Sequence, residues 1–319
     1  MTRIAVLDDY QRCAESFADW SRVKVDASVA FVSGPFASID DAVNILAEFD
    51  VICLMRERTP VPRELLERLQ RLKLIVLTGQ RSQTFDIPAA RELGIEVEFT
   101  TSGPAPHATP ELTMGLILAL ARHIPAGDRL VKAGQWLERA PVGQVLHGST
   151  LGLIGLGNVG SRVAQIAAAF GMRVIAWSPN LTWERAGAAG AALAQSKEEL
   201  LRAADIISLH MVLAPSTRGL IGRAEFALMK PTALIINAAR GPLIVEQDLV
   251  EALRTRKIGG AAVDVYDQEP LAKEHPLRQL DNIILTPHFG YVTREIYQEY
   301  YGQTVAHLER FLNRNTAAA

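Results

Sequence analysis

Short, wholly apolar runs alternate along this chain with stretches whose apolar residues recur every three to four positions. From Arg3 to about Phe99, the runs Ile4–Leu7, Val51–Leu54 and Leu74–Leu77 read as buried strands with helical periods between them. The clearest helix of this half spans Pro62–Leu72, with Pro at its start and Leu65, Leu66, Leu69 and Leu72 on one face. The segment Thr100–Pro110, rich in Pro, Gly and small polar residues, breaks the rhythm and reads as a domain crossing. A helical run is then expected from Glu111 to about Lys132. From Leu151 the alternation resumes. Strands are expected at 151–154, 173–177, 206–209, 233–236, 261–263 and 283–285, with helices at 161–170, 198–203 and 246–255. One amphipathic helix, about Thr293–Leu312, closes the chain, and the tail from Asn315 is expected to fray. Strands that are apolar throughout belong to sheets covered by helices on both faces, so the pattern predicts an α/β protein with doubly wound parallel sheets.

Size divides this pattern in two. A chain of 319 residues with 49% hydrophobic content exceeds what one core usually supports, so two domains are expected. The balance of 33 basic against 35 acidic residues gives no field for nucleic acid or an anionic membrane, which points to a small soluble ligand. Cys13 and Cys53 are the two cysteines, in no CxxC or Cys/His cluster, so no disulfide framework and no metal site are expected. Acidic residues follow Met1 too soon for a signal peptide and no run has the length of a membrane span, so a cytoplasmic location is expected.

The chemistry begins at Gly155-Leu-Gly157-Asn158-Val159-Gly160, directly after the strand at 151–154 and opening the helix expected from Ser161. In that context the first glycine permits a tight turn, the second lets the backbone approach a pyrophosphate, and the third lets helix and strand pack closely, while the helix N-terminus offers unpaired N–H groups. A dinucleotide is the expected ligand. In such units an acidic residue closing the second strand bonds the adenosine ribose and repels a 2′-phosphate. Here that place is taken by Ser178, in Trp177-Ser-Pro-Asn180. The phosphate is therefore not excluded: Ser178, Asn180 and Arg185 could bond it, favouring NADPH or dual use, or Ser178 simply tolerates NAD.

Ligands of open α/β sheets bind beyond the carboxyl ends of the strands. Ser178, His210, Asn237 with Arg240, Asp264 and His288 each stand at such an end. Taken singly each also reads as a cap or loop residue; together they mark one rim. Reduction of a 2-keto acid needs a cation for the carboxylate and carbonyl, a proton donor that titrates near neutrality, and a partner for that donor. Arg240 offers a planar fork, with Gly241 expected to leave room for substrate. An imidazole is the side chain suited to the donor role, and His288 supplies one. Glu269 could pair with it and fix its tautomer. The plain alternative has Glu269 capping a loop before Pro270 and His288 rigidifying a turn after Pro287.

These residues resemble the D-isomer-specific 2-hydroxyacid dehydrogenases, a family that includes phosphoglycerate dehydrogenase and glyoxylate/hydroxypyruvate reductase. The similarity spans nearly the whole chain through Gly152-Leu-Ile-Gly-Leu-Gly-Asn-Val-Gly160, Ile236-Asn-Ala-Ala-Arg-Gly241, Asp264-Val-Tyr-Asp-Gln-Glu-Pro270 and Thr286-Pro-His-Phe-Gly290. The resemblance implies that Arg240 binds the substrate carboxylate and keto oxygen, that His288 is the general acid/base with Glu269 as partner, and that Asp264 contacts the nicotinamide carboxamide. It also implies a Rossmann dinucleotide-binding domain (100–289) inserted into a flavodoxin-like substrate domain (1–99 and 290–319), assembled as a homodimer through the nucleotide domain. The family's substrate loop, of the form GxGxDNID, is replaced here by Gly79-Gln-Arg81-Ser-Gln-Thr-Phe-Asp86. Arg81 either supplies a cation for a second acidic group or points to solvent. Arg56 stands where phosphoglycerate dehydrogenases place a phosphate-binding arginine, which keeps a phosphorylated substrate open. Two rival readings have less support in the sequence. Corepressors of the same fold sense NAD(H), but this chain lacks a long disordered arm and a basic surface signal. Formate oxidation would call for glutamine in the role of Glu269. P-loop, HExxH and GxSxG motifs are absent from the sequence.

Overall fold

The computed structural model describes residues 1–101 and 105–317. The chain divides into two compact units, Met1–Ala105 with Val292–Ala319, and Pro106–Tyr291. Of the expected crossing at 100–110, residues 102–104 lie outside the described residues, as do Ala318 and Ala319 of the tail.

In the first unit β1 (Thr2–Val6), β2 (Ala27–Phe31), β3 (Val51–Leu54), β4 (Leu74–Leu77) and β5 (Glu96–Phe99) form a parallel sheet of order β2-β1-β3-β4-β5. This is the flavodoxin-like order, with its switch point between β1 and β3. β3 and β4 are buried at every position because helices cover both faces. On one face Leu7, Ile52, Leu54, Ile75 and Leu77 pack with Leu65, Leu66 and Leu69. The last helix, Arg294–Ala317, belongs to this unit: Tyr297 stacks edge-on to Phe17 and Tyr301 lies 6.4 Å from Trp20 between ring centres. β2 and β5 were not expected from sequence. Their solvent-facing positions, such as Ser28, Glu96 and Glu98, interrupt the apolar run that marks a central strand.

The second unit holds β6 (Thr150–Ile154), β7 (Arg173–Trp177), β8 (Ala192–Leu193), β9 (Ile206–Leu209), β10 (Leu234–Asn237), β11 (Gly260–Val263) and β12 (Ile283–Leu285). Among the described residues they form a parallel sheet of order β12-β11-β10-β9-β6-β7-β8. Read outward from β6, this is the classic dinucleotide-binding order extended by one strand. Successive residues of β6 feed different layers: Leu151 and Leu153 join one core, and Ile154 the other. Between Leu151 and Leu153, Gly152 leaves little space for a side chain, since a Cβ there would meet Leu200 Cδ2 at 2.6 Å and Ala204 Cβ, which cannot rotate aside, at 2.9 Å.

Several expected helices need correction: that at 62–72 is helical only over Arg63–Arg68, and the last runs to Ala317 rather than to Leu312. The run at 111–132 is two helices, Ala105–Ala121 and Ile124–Lys132, separated where His123 takes a left-handed φ of 52°. The helix after the glycine loop begins at Asn158 and not at Ser161, because Gly157 rather than Gly160 occupies the cap. Among the described residues no helix is long and apolar enough to cross a membrane.

Candidate active site

The glycine loop carries a cradle for a phosphate group. Gly155 adopts φ +99°, and a Cβ on it would lie 2.7 Å from the carbonyl of His210, so the turn and the close packing both require glycine. At Gly160 a Cβ would stand 2.4 Å from the Gly155 oxygen. Gly157 is different: nothing lies within 4 Å of where its Cβ would be. Gly157 and Asn158 are exposed, Val159 is half-buried, and the helix they open runs for 12 residues, Asn158–Ala169. An open backbone at the positive end of a helix dipole is what a pyrophosphate needs, so these residues fit a dinucleotide.

His210 supports this loop through its backbone. Its N–H donates to the Ile154 carbonyl at 2.8 Å, and its imidazole lies 3.0 Å from Ser208 Oγ. Desolvation pushes its pKa down to about 4, so near neutrality the ring brings no charge to the phosphates. Ser178 follows β7 and is half-buried, next to the exposed Asn180, whose carbonyl accepts a bond from Arg185 Nη1 at 3.4 Å. No carboxylate replaces the missing acidic residue at Ser178 itself.

Across the sheet, β10, β11 and β12 lead into three loops that bind one another. Asn237, 1% exposed, spends its amide on its own loop: Nδ2 donates to the Arg240 carbonyl at 2.9 Å and Oδ1 accepts from the Ala239 N–H at 3.1 Å. Arg240 Nη1 donates to the Ala239 carbonyl at 2.7 Å. Gly241 does not leave room for a ligand as expected; a Cβ there would meet the Tyr266 carbonyl at 2.1 Å, so this glycine lets the Arg240 loop close onto the Asp264–Pro270 loop. In that second loop Glu269 is fixed at both oxygens. Oε1 accepts from the Tyr266 N–H at 3.0 Å, and Oε2 lies 2.6 Å from His288 Nδ1.

His288 itself sits at φ 53°, a conformation that costs a non-glycine residue about 1–3 kcal/mol and persists only where its surroundings enforce it. Asp264 does the enforcing. Its Oδ1 accepts from Thr286 Oγ1 at 2.6 Å and from the Phe289 N–H at 3.0 Å, and its Oδ2 accepts from the Gly290 N–H at 2.9 Å. Burial raises the Asp264 pKa, opposed by those three donors and by the His288 ring. Thr109 Oγ1 donates to the Gly290 carbonyl at 3.2 Å, and the Tyr291 ring stands edge-on to the His288 ring at 6.1 Å. Because Nδ1 faces a carboxylate, it carries its proton, and Nε2 is the nitrogen left for chemistry.

The predicted site residues thus fall into groups. Arg240, Glu269, His288, Asp264 and Asn237 form one hydrogen-bonded set of loops; Gly155, Gly157, Gly160 and His210 form the cradle, with Ser178 apart beyond β7. Arg56, Gly79 and Arg81 belong to the first unit. There the Arg56 guanidinium covers Gly79 so closely that a Cβ would overlap Nη1 at 1.7 Å, and the Gly79 N–H donates to Thr100 Oγ1 at 2.9 Å. Arg81 is exposed and makes no hydrogen bond or ion pair among the described residues. Sequence reasoning missed Tyr266, Thr286 and Thr109. The first two lie inside the motifs that were read, but a bond from a phenol to a backbone carbonyl leaves no trace in spacing.

Residues 114–290 match the model of the D-isomer specific 2-hydroxyacid dehydrogenase NAD binding domain. The chain belongs to this family. It is similar to D-3-phosphoglycerate dehydrogenase of Methanocaldococcus jannaschii, 42% identical over 80% of this chain and 48% of that one. It is 41% identical to glyoxylate reductase of Aeropyrum pernix, over 73% of this chain and 71% of the relative. The chain spans about half the length of the phosphoglycerate dehydrogenases it matches. Among solved structures, phosphoglycerate oxidoreductase from Vibrio cholerae superposes with a TM-score of 0.91 at 33% identity, over 98% of this chain and 100% of the other. Among the described residues no group of three His, Cys, Asp or Glu side chains is placed to hold a metal.

Proposed function

We propose that the chain reduces a small 2-keto acid to the D-2-hydroxy acid, and catalyses the reverse, with Arg240, Glu269 and His288 as the reacting groups. One observation carries the reading: Glu269 grips His288 Nδ1 at 2.6 Å while its other oxygen is tied to Tyr266, the residue that backs the Arg240 loop. A bound NAD(P)H supplies the hydride to the substrate's second carbon. Arg240 holds the carboxylate and polarises the keto oxygen, and Nε2 of the imidazolium hands its proton to that oxygen as the carbonyl is reduced. Glu269 accepts from Nδ1–H throughout and keeps the donor nitrogen aimed. In the oxidative direction the neutral ring takes the hydroxyl proton back. Asp264 keeps the expectation of a nicotinamide contact, and Asn237 and His210 act on the cofactor through the loops they brace. The dinucleotide-sensing alternative gains nothing from the relatives, which are named as dehydrogenases and reductases.

The unit 106–291 is proposed as the nucleotide domain, and the unit formed by residues 1–105 and 292–319 as the substrate domain, with Arg56, Gly79 and Arg81 as its substrate-binding residues. The free cation of Arg81 and the guanidinium of Arg56 favour a substrate with a second acidic or phosphorylated group. Ser178, Asn180 and Arg185 favour acceptance of NADPH beside NADH. A cytoplasmic homodimer is the proposed state. The helix Ile124–Lys132 has no buried residue, and Val131, Trp136, Leu137, Val142 and Val145, all within 131–145, are exposed apolar side chains that a second copy would cover. Light scattering at micromolar concentration tests this, and a monomer would refute it.

The deciding experiment is His288→Ala assayed by NADH and NADPH oxidation with glyoxylate, hydroxypyruvate, phosphohydroxypyruvate and branched 2-keto acids. Loss of at least about a hundredfold in kcat is expected, with dinucleotide binding retained. Turnover unchanged in that variant would end the assignment.

A further inference from the structure

All three loops of the proposed site touch one residue. The Tyr266 N–H donates to Glu269 Oε1 at 3.0 Å, its hydroxyl donates to the Thr286 carbonyl at 2.8 Å two residues before His288, and its own carbonyl is the wall against which Gly241 is pressed beside Arg240. The ring is 8% exposed and packs in the core with Leu243, Ile244, Val263 and Leu277. Tyr266, anchored in the core, ties Glu269 of its own loop through its N–H and the segment before His288 through its hydroxyl, while its carbonyl packs against Gly241 of the Arg240 loop, so one residue fixes the relative placement of all three. We propose that Tyr266 is a positioning residue that holds Arg240, Glu269 and His288 in catalytic register, a role that rests on the reading of those three as the reacting groups.

The contribution divides by atom. The N–H and carbonyl contacts survive any substitution that leaves the backbone in place, and the ring's packing survives replacement by Phe. Only the hydroxyl's bonds, to the Thr286 carbonyl at 2.8 Å and more weakly to the Val263 carbonyl at 3.4 Å, are specific to tyrosine. Burial raises the phenol's pKa well above its ordinary value, so it remains a donor at every working pH. Asp264 anchors the same 286–290 segment from its other side through Thr286 Oγ1 and the Phe289 and Gly290 N–H groups. Removing the Tyr266 hydroxyl therefore loosens one anchor of this segment and leaves the glycine loop alone. A small misplacement of a proton donor reduces the rate without weakening cofactor binding.

The test compares wild type, Tyr266→Phe, Tyr266→Leu and His288→Ala, measuring kcat, KM for the dinucleotide, the primary isotope effect with 4-deuterated dinucleotide, and the melting temperature. Tyr266→Phe is expected to lower kcat by about two- to tenfold, the worth of one such hydrogen bond, with dinucleotide KM unchanged. Its isotope effect is expected to be no smaller than that of wild type, and Tyr266→Leu, which also loses ring packing, to fall further. Wild-type kcat in Tyr266→Phe would overturn the proposal, as would a loss matched by raised dinucleotide KM. A drop in melting temperature with kcat intact would make Tyr266 a core residue only. An active His288→Ala would instead refute the underlying enzyme reading, whatever the Tyr266 variants show.

Discussion

Gly241 and Tyr266 meet backbone to backbone: a Cβ on Gly241 would stand 2.1 Å from the Tyr266 carbonyl carbon and oxygen and 2.7 Å from the Asp267 nitrogen. Such atoms cannot rotate aside as a flexible side chain would, so Gly241→Ala must separate the Arg240 loop from the loop carrying Glu269. The variant is expected to lose about 1–3 kcal/mol of stability, as overpacked sites do. Its kcat/KM for the keto acid should fall more than its dinucleotide affinity. Thermal melts and steady-state kinetics check this, and kcat/KM equal to wild type would show that the spacing of the two loops does not matter.

Glu269 can be tested without changing its shape. In Glu269→Gln the oxygen that accepts from the Tyr266 N–H stays, which turns the new amide NH2 towards His288 Nδ1. That nitrogen must then accept, the proton moves to Nε2, and the doubly protonated ring needed for reduction loses its anionic partner. The expected outcome is a drop in kcat for reduction of at least about tenfold, with dinucleotide binding intact. A variant as fast as wild type would mean that the pair seen here does not act in the reaction.

Most of this architecture was legible because it rests on unbroken local patterns. Apolar runs such as Val51–Leu54 and Leu151–Ile154 identify central strands, which are buried on both faces. The polar residues after β9, β10, β11 and β12 then fall on one rim by topology alone. The edge strands β2 and β5 were not legible, since Glu96 and Glu98 give β5 the look of a loop, whereas the edge strand β12 was, because Ile283–Leu285 is apolar throughout. At Gly241 the motif was recognised, but its role was misread: sequence shows that a side chain is missing, not which neighbour fills the space. At His210 the sequence placed a polar residue at the strand end, but not that its ring turns to Ser208 or that its carbonyl packs against Gly155.

The position of Ser178 sets the expectation for cofactor choice. A carboxylate introduced there would face a 2′-phosphate with like charge and a ribose 2′-hydroxyl with a good acceptor. Ser178→Asp should therefore reduce kcat/KM with NADPH by at least about tenfold, a cost of about 1.4 kcal/mol, while use of NADH is kept or improved. Parallel assays with both dinucleotides decide it. If wild type already prefers NADH a hundredfold, or if the variant treats both cofactors as wild type does, Ser178 is not the discriminating residue.

Asp8, at the end of β1, gives the first unit its own pH dependence. It is 2% exposed at φ 63°, Thr59 donates to its Oδ1 at 2.8 Å, and its Oδ2 has no hydrogen-bond partner among the described residues. Burial raises its pKa from 3.8 to about 6, against the opposing effects of Thr59 and the Arg58 charge. Between those two values the folded state binds more protons than the unfolded state, so stability falls as pH rises through this window. Above pH 6 the full cost applies, on the order of 3 kcal/mol. Asp8→Asn keeps an acceptor for Thr59 and abolishes the titration. Denaturant unfolding at pH 4.5, 5.5 and 7 should therefore show wild type losing stability relative to the variant as pH increases. Parallel pH profiles for the two proteins would mean that Asp8 does not titrate between 3.8 and 6 in the folded chain.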